Sequence, residues 1–281
     1  MSMTKSGNTL PLVAMALLLV NYPEPSYAAS TVTLGSDIPA AERVPVENIG
    51  HGSWDALLKK YVDSQGMVDY TAWKNSRDDM RALDQYLDQL SKADTAADAT
   101  KADRLAFWIN AYNAVTVRGI LREYPTTSIR NHTARLFGYN IWDDLQLYVG
   151  GKLVSLNQME HEILRKMNEP RIHFALVCAS IGCPRLLQEA YVPEKIDQQL
   201  TANAKAFFAD PAKFQFEVQD QLISVSPILD WYGEDFGKTT AAQLQQIAPY
   251  LPEAARELAK SGEARVRYLD YDWDLNDQAR E

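Results

Sequence analysis

Apolar residues recur at helical spacing through the first half of the chain. The spacing predicts helices over residues 54–62, 80–90 and 103–124, and Ser53 stands where the N-cap of the first would lie. In the third segment apolar residues cover most faces, and Pro125 follows its end. We therefore expect this helix to be the central, buried one.

The middle of the chain changes to a strand pattern. Residues 145–149 and 152–156 flank the pair Gly150-Gly151, and two glycines supply the positive φ that a tight hairpin turn requires. Residues 155–158 then match a capping box, which predicts a helix that continues to about residue 167. The uninterrupted apolar run 172–178 has the length of a buried strand.

The last third of the chain repeats both patterns. The elements predicted there are a helix over 193–208, a hairpin of 214–218 and 222–225, two short helices within 239–260 divided near Pro252, and a final strand over 266–272. Since helices cluster early and strands come as hairpins, we predict an α+β fold, with a helix-rich N-terminal half packed on a small antiparallel or mixed sheet. A doubly wound parallel sheet is not expected.

The first residues have the pattern of a secretory signal peptide. Lys5 precedes the apolar run 10–20, and a polar stretch ends at Ala28-Ala29, which predicts removal of residues 1–29 and a periplasmic or secreted protein. The apolar run is too short to span a bilayer. No cysteine stands at the cleavage site, so we expect neither a membrane span nor a lipid anchor.

The remaining residues have the composition of a globular domain. Residues 30–52 show no sustained hydrophobic periodicity, so we expect an extended or loosely packed lead-in there. We expect residues 53–281 to form a single domain. Hydrophobic residues make up 46% of the full sequence, and its formal net charge is −9. This acidic balance argues against nucleic acid and anionic lipid as partners, because both attract basic surfaces.

Four blocks of the sequence resemble the signature of a known family. They are, in order, FWINAYNA (107–114), SLNQMEHEILR (155–165), RIHFALVCASIGCP (171–184) and SPILDWYGEDF (226–236). These blocks and their order are similar to those of the domain-of-unknown-function 547 family, and the resemblance covers about residues 103–236. The resemblance implies no particular reaction, since the family is named for its unknown function. Candidate site residues must therefore come from side-chain chemistry alone.

The chain has two cysteines, Cys178 and Cys183, and both are candidates for a functional role. One interpretation is a local disulfide, which an oxidising compartment would favour. The other is that Cys178 is a buried thiol and Cys183, between Gly182 and Pro184 on an exposed bend, is a nucleophile. The spacing C-x4-C differs from the C-x-x-C of thiol oxidoreductases, so a thioredoxin-like role is not expected.

A thiol nucleophile requires a base and an orienting group. His161 is the candidate base, although an exposed acidic helix turn, Glu160-His161-Glu162, is an ordinary alternative. His173 fits a half-buried strand histidine that is bonded to a neighbour. Asn110 and Asn113 either orient the imidazole, as in papain-type sites, or join their apolar helix to adjacent backbone, which is the commoner use.

Other chemistries have no support in the residue pattern. The four histidines, His51, His132, His161 and His173, show no metal-ligand spacing, so no metal is expected. No phosphate-binding loop, dinucleotide glycine pattern or G-x-S-x-G motif is present, so no cofactor is expected either.

Two hypotheses of different class remain. The first is a thiol-dependent hydrolase or acyltransferase of papain- or transglutaminase-like architecture, in which Cys183 attacks a peptide or cell-envelope substrate, His161 is the base and Asn110 or Asn113 orients it. The second is a non-catalytic binding or scaffold domain with bridged cysteines. In it, aromatic residues partly line a recognition groove: Trp108, Trp142, Trp231 and Tyr232.

We predict that residues 1–29 are removed on export, because the short apolar core and Ala28-Ala29 fit a signal-peptidase site. Intact-mass analysis of protein from the cell-envelope fraction should show a mature chain that begins near residue 30. A mature chain that still begins at Met1 would contradict the prediction.

Overall fold

The computed structural model describes residues 31–134 and 138–279. The predicted signal peptide lies outside the described residues. The α-helices in the described part are α1 (Gly52–Tyr61), α2 (Tyr70–Asn75), α3 (Arg77–Ser91), α4 (Lys101–Glu123), α5 (Ile141–Asp144), α6 (Ile196–Ala209), α7 (Ile228–Trp231), α8 (Gly233–Phe236), α9 (Thr240–Ile247) and α10 (Glu253–Ser261). A π-helix covers Gln158–Leu164, and a 3-10 helix covers Pro170–Phe174. No helix in these two ranges is long and apolar enough to cross a membrane.

The strands form small sheets. They are β1 (Val32–Leu34), β2 (Val44–Pro45), β3 (Ala93–Asp94), β4 (Leu145–Val149), β5 (Lys152–Ser155), β6 (Phe214–Glu217), β7 (Leu222–Val225) and β8 (Arg265–Tyr268). In the first sheet β4 pairs parallel with β1 and antiparallel with β5, and β2 pairs parallel with β3. In the last sheet β7 pairs antiparallel with β6 and parallel with β8. The predicted α+β class with mixed sheets is confirmed.

Helix α4 is the centre of the larger hydrophobic core. Thr100 and Asp103 form a reciprocal capping box at its first turn, which sets its start at Lys101. Sixteen of its residues are buried, from Leu105 to Leu121, so the predicted central helix is confirmed. Gly119 permits the close approach of β4, because a Cβ at this position would lie 2.6 Å from a methyl carbon of Leu145.

A second apolar cluster lies between α6, α9, α10 and the last sheet. Phe174 is at its edge, with ring centroids 5.0 Å from those of both Phe207 and Phe208. Tyr271 packs against both clusters, so the chain after β8 connects them. This connection places the C-terminal segment next to residues from the middle of the sequence.

Buried asparagines on α4 bond to the backbone of other segments. The Asn110 amide donates to the Tyr191 carbonyl at 2.8 Å and accepts from the Tyr191 N–H at 3.0 Å. Asn113 likewise donates to the carbonyl of Ala175 and accepts from the N–H of Val177, both at 3.0 Å. Each side chain therefore makes the pair of hydrogen bonds that a neighbouring strand would make.

The hydrogen bonds from these asparagines explain why the prediction of a strand over residues 172–178 is wrong. Residues Pro170–Phe174 form a 3-10 helix, and the next residues are irregular. The run is apolar because Ile172, Phe174 and Ala175 are buried, not because it belongs to a sheet. Periodicity could not separate the two cases, since a short apolar run fits any buried segment.

Two smaller expectations are corrected and a third is narrowed to one of its alternatives. His51, not Ser53, is the N-cap residue of α1, because the His51 carbonyl already accepts from the Asp55 N–H at 2.9 Å. Of the extended and the loosely packed alternatives for the lead-in, the extended one agrees with the structure, since β1 and β2 pair with β4 and β3. The final strand ends at Tyr268, because its pairing partner β7 ends at Val225.

Replacing Asn110 by Leu should lower the free energy of unfolding by about 1–3 kcal/mol, because it leaves the buried Tyr191 N–H and carbonyl without partners. Urea or thermal unfolding measures the change. The control is Asn75→Leu at the exposed end of α2, which should have a much smaller effect. An unchanged unfolding midpoint for Asn110→Leu would show that these bonds contribute nothing.

Candidate functional site

A cavity of about 260 Å³ lies where the two apolar clusters meet. Six of its fifteen lining residues are tyrosine or tryptophan, namely Tyr112, Trp142, Trp231, Tyr232, Tyr271 and Trp273. The polar side chains that line it are Asn157, Glu160, His161 and His173, and the remaining wall contains Cys178 and Cys183. The cavity therefore combines an apolar, π-rich surface with a few polar groups, which is the usual composition of a small-molecule site.

The π-helix after β5 positions Glu160 and His161. The Ser155 hydroxyl accepts from the Gln158 N–H at 3.2 Å, and the Gln158 side chain accepts from the Ser155 N–H at 3.0 Å, so the predicted capping box is confirmed. The helix then directs Glu160 inward and leaves His161 exposed at the rim of the cavity. Wide helical turns of this kind are frequent at functional sites.

Glu160 is a buried carboxylate that accepts a hydrogen bond from a tyrosine. The Tyr112 hydroxyl donates to Glu160 Oε2 at 3.1 Å, and Tyr232 lies near enough for the Glu160 carboxylate to raise its pKa. Burial and the adjacent carboxylate hold the pKa of both tyrosines far above the usual range, so both remain donors. Among the described residues, no Lys or Arg nitrogen forms an ion pair with Glu160.

A second polar group, formed by Arg165, Asp235 and His173, lies beside the cavity. Arg165 contacts Asp235 through two nitrogens at 2.7 and 2.9 Å, and His173 Nε2 lies 2.7 Å from Asp235 Oδ2. Burial lowers the pKa of His173 and outweighs the opposite effect of Asp235. Burial would raise the pKa of Asp235, but the hydrogen bonds from Arg165 and His173 hold it below its ordinary value. His173 is therefore a neutral imidazole that donates to a carboxylate.

His161 is linked to the same group. Arg165 Nη1 lies 3.1 Å from His161 Nδ1, and because a guanidinium only donates, Nδ1 accepts. The remaining proton is then on Nε2. Tyr232 lies between the two histidines, with ring centroids 4.1 Å from His173 and 6.2 Å from His161.

Cys178 and Cys183 form a disulfide, with sulfur atoms 2.07 Å apart. The Tyr271 hydroxyl lies 3.1 Å from Sγ of Cys183 and 3.2 Å from Sγ of Cys178. The Gly182 N–H donates to the Asp272 carbonyl at 2.8 Å, so the C-terminal segment covers the disulfide loop. A Cβ at position 182 would lie 2.9 Å from the oxygen of that carbonyl, which is too close, so this position requires glycine.

The structure brings together some of the predicted site residues and not others. Cys183 and His161 line the same cavity, but Cys183 is 4% exposed and oxidised, not a thiol on an exposed bend. In this oxidised state it has no thiolate to act as a nucleophile, and a disulfide is the alternative that the sequence left open. Asn110 and Asn113 hold backbone in place and do not line the cavity.

Other predicted side chains also have defined positions. Trp142, Trp231 and Tyr232 line the cavity, whereas Trp108 is buried next to Phe107, with ring centroids 5.1 Å apart. His173 bonds to a neighbour, as expected, but on a 3-10 helix. The described ranges contain no group of three or more His, Cys, Asp or Glu residues that could hold a metal ion.

Sequence reasoning missed the roles of Glu160, Asp235, Tyr271 and Trp273. An α-helical pattern fits Glu160 in an exposed acidic turn, and the spacing of the sequence does not indicate that a π-helix buries this side chain. Asp235 stands in a block whose resemblance was noted, but its partners are about sixty to seventy positions earlier. The one available signal was the density of aromatic residues in the final segment.

Comparison with known proteins gives a family but no function. The family model described as "Protein of unknown function, DUF547" matches residues 96–208, which contain α4, the π-helix, the disulfide and α6. Neither the curated proteins nor the solved structures contain a match to this chain. Trp231, Tyr232, Asp235, Tyr271 and Trp273 lie beyond the matched residues. The predicted resemblance is thus confirmed over residues 96–208, which match the DUF547 family model.

Proposed function

We propose that this chain is a binding protein that holds one small organic molecule in the cavity between its two apolar clusters. The observation that carries the proposal is the aromatic wall around a space of about 260 Å³. We further propose that the protein acts in the periplasm or outside the cell, after removal of residues 1–29. The disulfide fits that location, because reducing compartments keep cysteine thiols free.

The aromatic wall is already packed before any ligand binds. The Tyr271 and Trp273 ring centroids are 4.5 Å apart, and those of Trp231 and Trp273 are 5.7 Å apart. Rings that support each other lose little conformational freedom when a ligand binds, so less of the interaction energy is lost to ordering. Trp231 is nevertheless 47% exposed, which leaves an apolar surface at the mouth of the cavity available for contact.

The disulfide favours binding over thiol chemistry. Both cysteines are in the bond, so neither sulfur is available as a thiolate nucleophile in this state. The Tyr271 hydroxyl and the C-terminal segment hold the loop from outside. The bond thereby serves as a fixed part of the cavity wall.

A second candidate function, thiol-dependent hydrolysis or acyl transfer, is supported by the contents of the cavity. If a reductant converted the disulfide to two thiols, the cavity would contain Cys183, His161 and the hydrogen-bonded pair His173–Asp235. A thiol, an imidazole and an orienting carboxylate are the parts of a cysteine hydrolase. In that case His173 would be the better base, because Asp235 already orients its ring. The ring of His161 instead accepts a hydrogen bond from Arg165.

A small molecule should bind at the aromatic wall, because the wall is preformed and accessible. NMR of the tryptophan indole N–H groups can follow titrations with three probes of similar size, namely benzyl alcohol, benzoate and benzyltrimethylammonium. At least one should shift the signals of Trp142, Trp231 and Trp273 saturably, while buried Trp54 and Trp73 remain unchanged.

Trp231→Ala should weaken that binding by about tenfold, which corresponds to about 1.4 kcal/mol for a lost aromatic contact. Tyr268→Ala is the control, because Tyr268 is 43% exposed and lies on β8 outside the cavity lining. If none of the three probes affects the cavity tryptophans, the binding function is wrong.

The redox state of the cysteines separates the two candidate functions. Protein isolated without reductant should not react with iodoacetamide, and it should gain two carbamidomethyl groups only after reduction, because both thiols are in the disulfide. Intact-mass analysis measures this. A native protein that is alkylated at Cys183 alone, and that loses this reactivity in His173→Gln, would instead support the thiol hydrolase.

A further inference from the structure

The charges around the cavity do not balance. Glu160 is a buried carboxylate in its wall, and it accepts a hydrogen bond from the neutral hydroxyl of Tyr112. The positive charge of Arg165 is matched by Asp235, which it contacts at 2.7 and 2.9 Å. The space that these groups enclose therefore has one excess negative charge.

The two histidines do not supply the missing cation. His173 is neutral because burial lowers its pKa, and its Nε2 donates to Asp235. His161 accepts from Arg165 at Nδ1, which a doubly protonated ring could not do. At the rim, Asn157 contacts the exposed Asp143 at 2.6 Å, which adds a further negative charge.

Two aromatic rings of the cavity wall already lie close to guanidinium groups of the protein. The guanidinium of Arg165 lies 5.5 Å from the centre of the Tyr232 ring, and that of Arg130 lies 5.2 Å from the centre of the Trp273 ring. Arg130 is exposed and outside the cavity lining, so water screens its charge. Tryptophan and tyrosine faces attract cations through the ring quadrupole, and the attraction is stronger where water is excluded.

We propose that the ligand of this cavity is a cation whose charge is on a methylated ammonium group, held between the tryptophan and tyrosine faces opposite Glu160. This inference rests on the proposed binding function and names its ligand class. An unmethylated ammonium has three N–H donors that each require an acceptor. Glu160 is the one carboxylate among the described residues that line the cavity, and it already accepts from Tyr112, so three donors would lack a full set of acceptors, whereas a quaternary ammonium requires none.

Three probes isolate the contributions of charge and methylation in the full-length mature protein. Choline carries a quaternary ammonium, neohexanol is its uncharged isostere with carbon in place of nitrogen, and ethanolamine carries the unmethylated ammonium. Calorimetry and the indole NMR signals measure each affinity. Choline should bind at least about tenfold more tightly than either comparison probe, the ratio expected for a desolvated cation on aromatic faces.

Glu160→Gln keeps the size of the side chain and one carbonyl acceptor but removes the charge. This substitution should reduce the preference for choline over neohexanol to less than about threefold, because the aromatic rings then attract the cation without the stronger contribution of the carboxylate charge. The matched control is Glu162→Gln, the same change at an exposed residue outside the cavity, which should leave the preference unchanged. The wild-type comparison of the three probes requires no variant, so it stands even if Glu160→Gln does not fold.

The outcomes distinguish this inference from the function on which it rests. If neohexanol or ethanolamine binds as tightly as choline, or if choline does not bind, the ligand class is wrong. The binding function itself still stands if benzyl alcohol or benzoate shifts the cavity tryptophans. Co-sedimentation with phosphatidylcholine vesicles, compared with phosphatidylglycerol vesicles, then shows whether the ammonium group belongs to a lipid headgroup or to a free molecule.

Discussion

The positions of the disulfide loop and of the cavity wall depend on side-chain amides that act as substitutes for a strand. Asn113 on α4 bonds to both Ala175 and Val177, and Asn203 on α6 donates to the Phe174 carbonyl at 2.8 Å. The segment before Cys178 lies between these helices without a sheet partner. Because its backbone groups are buried, each must be satisfied, and a buried amide can satisfy a donor and an acceptor at once. Helix α4, with sixteen buried residues, therefore also contains two polar side chains whose hydrogen bonds hold the backbone of other segments.

The second element of the site is an ion pair that joins segments far apart in sequence. Arg165, at the end of the π-helix, contacts Asp235 on α8, and Asp235 also accepts from His173. A partly buried pair of this kind is weak evidence for stability, since the cost of desolvation offsets much of the attraction. Its effect is geometric, because it fixes the orientation of His161, His173 and Tyr232 together. The charge of Glu160 is thereby left unmatched within the cavity.

The cavity is assembled from residues that no single segment could supply. Tyr112 comes from the central helix, Glu160 from the π-helix, the sulfurs from the disulfide loop, and Trp273 from the C-terminal segment. The family match covers the first three of these sources and not the last. The aromatic half of the wall, which would select the ligand, therefore lies largely outside the matched residues.

Local patterns in the sequence were sufficient for the longer helices α1, α3, α4, α6, α9 and α10, for both hairpins and for the α+β class, because periodicity and turn chemistry depend on neighbouring residues. The short helices α2, α5, α7 and α8 were not predicted, since a few residues carry too little periodicity. The burial of Asn110 and Asn113 also followed from the sequence, since apolar residues surround them on nearly every face. The role of residues 172–178, the inward direction of Glu160 and the partners of Asp235 did not follow, because each depends on contacts across tens of positions. Periodicity does not distinguish a buried segment paired by amides from one paired by a strand. The redox state of Cys178 and Cys183 was likewise left open by the sequence and decided by tertiary structure, which brings the two sulfurs to bonding distance beneath Tyr271.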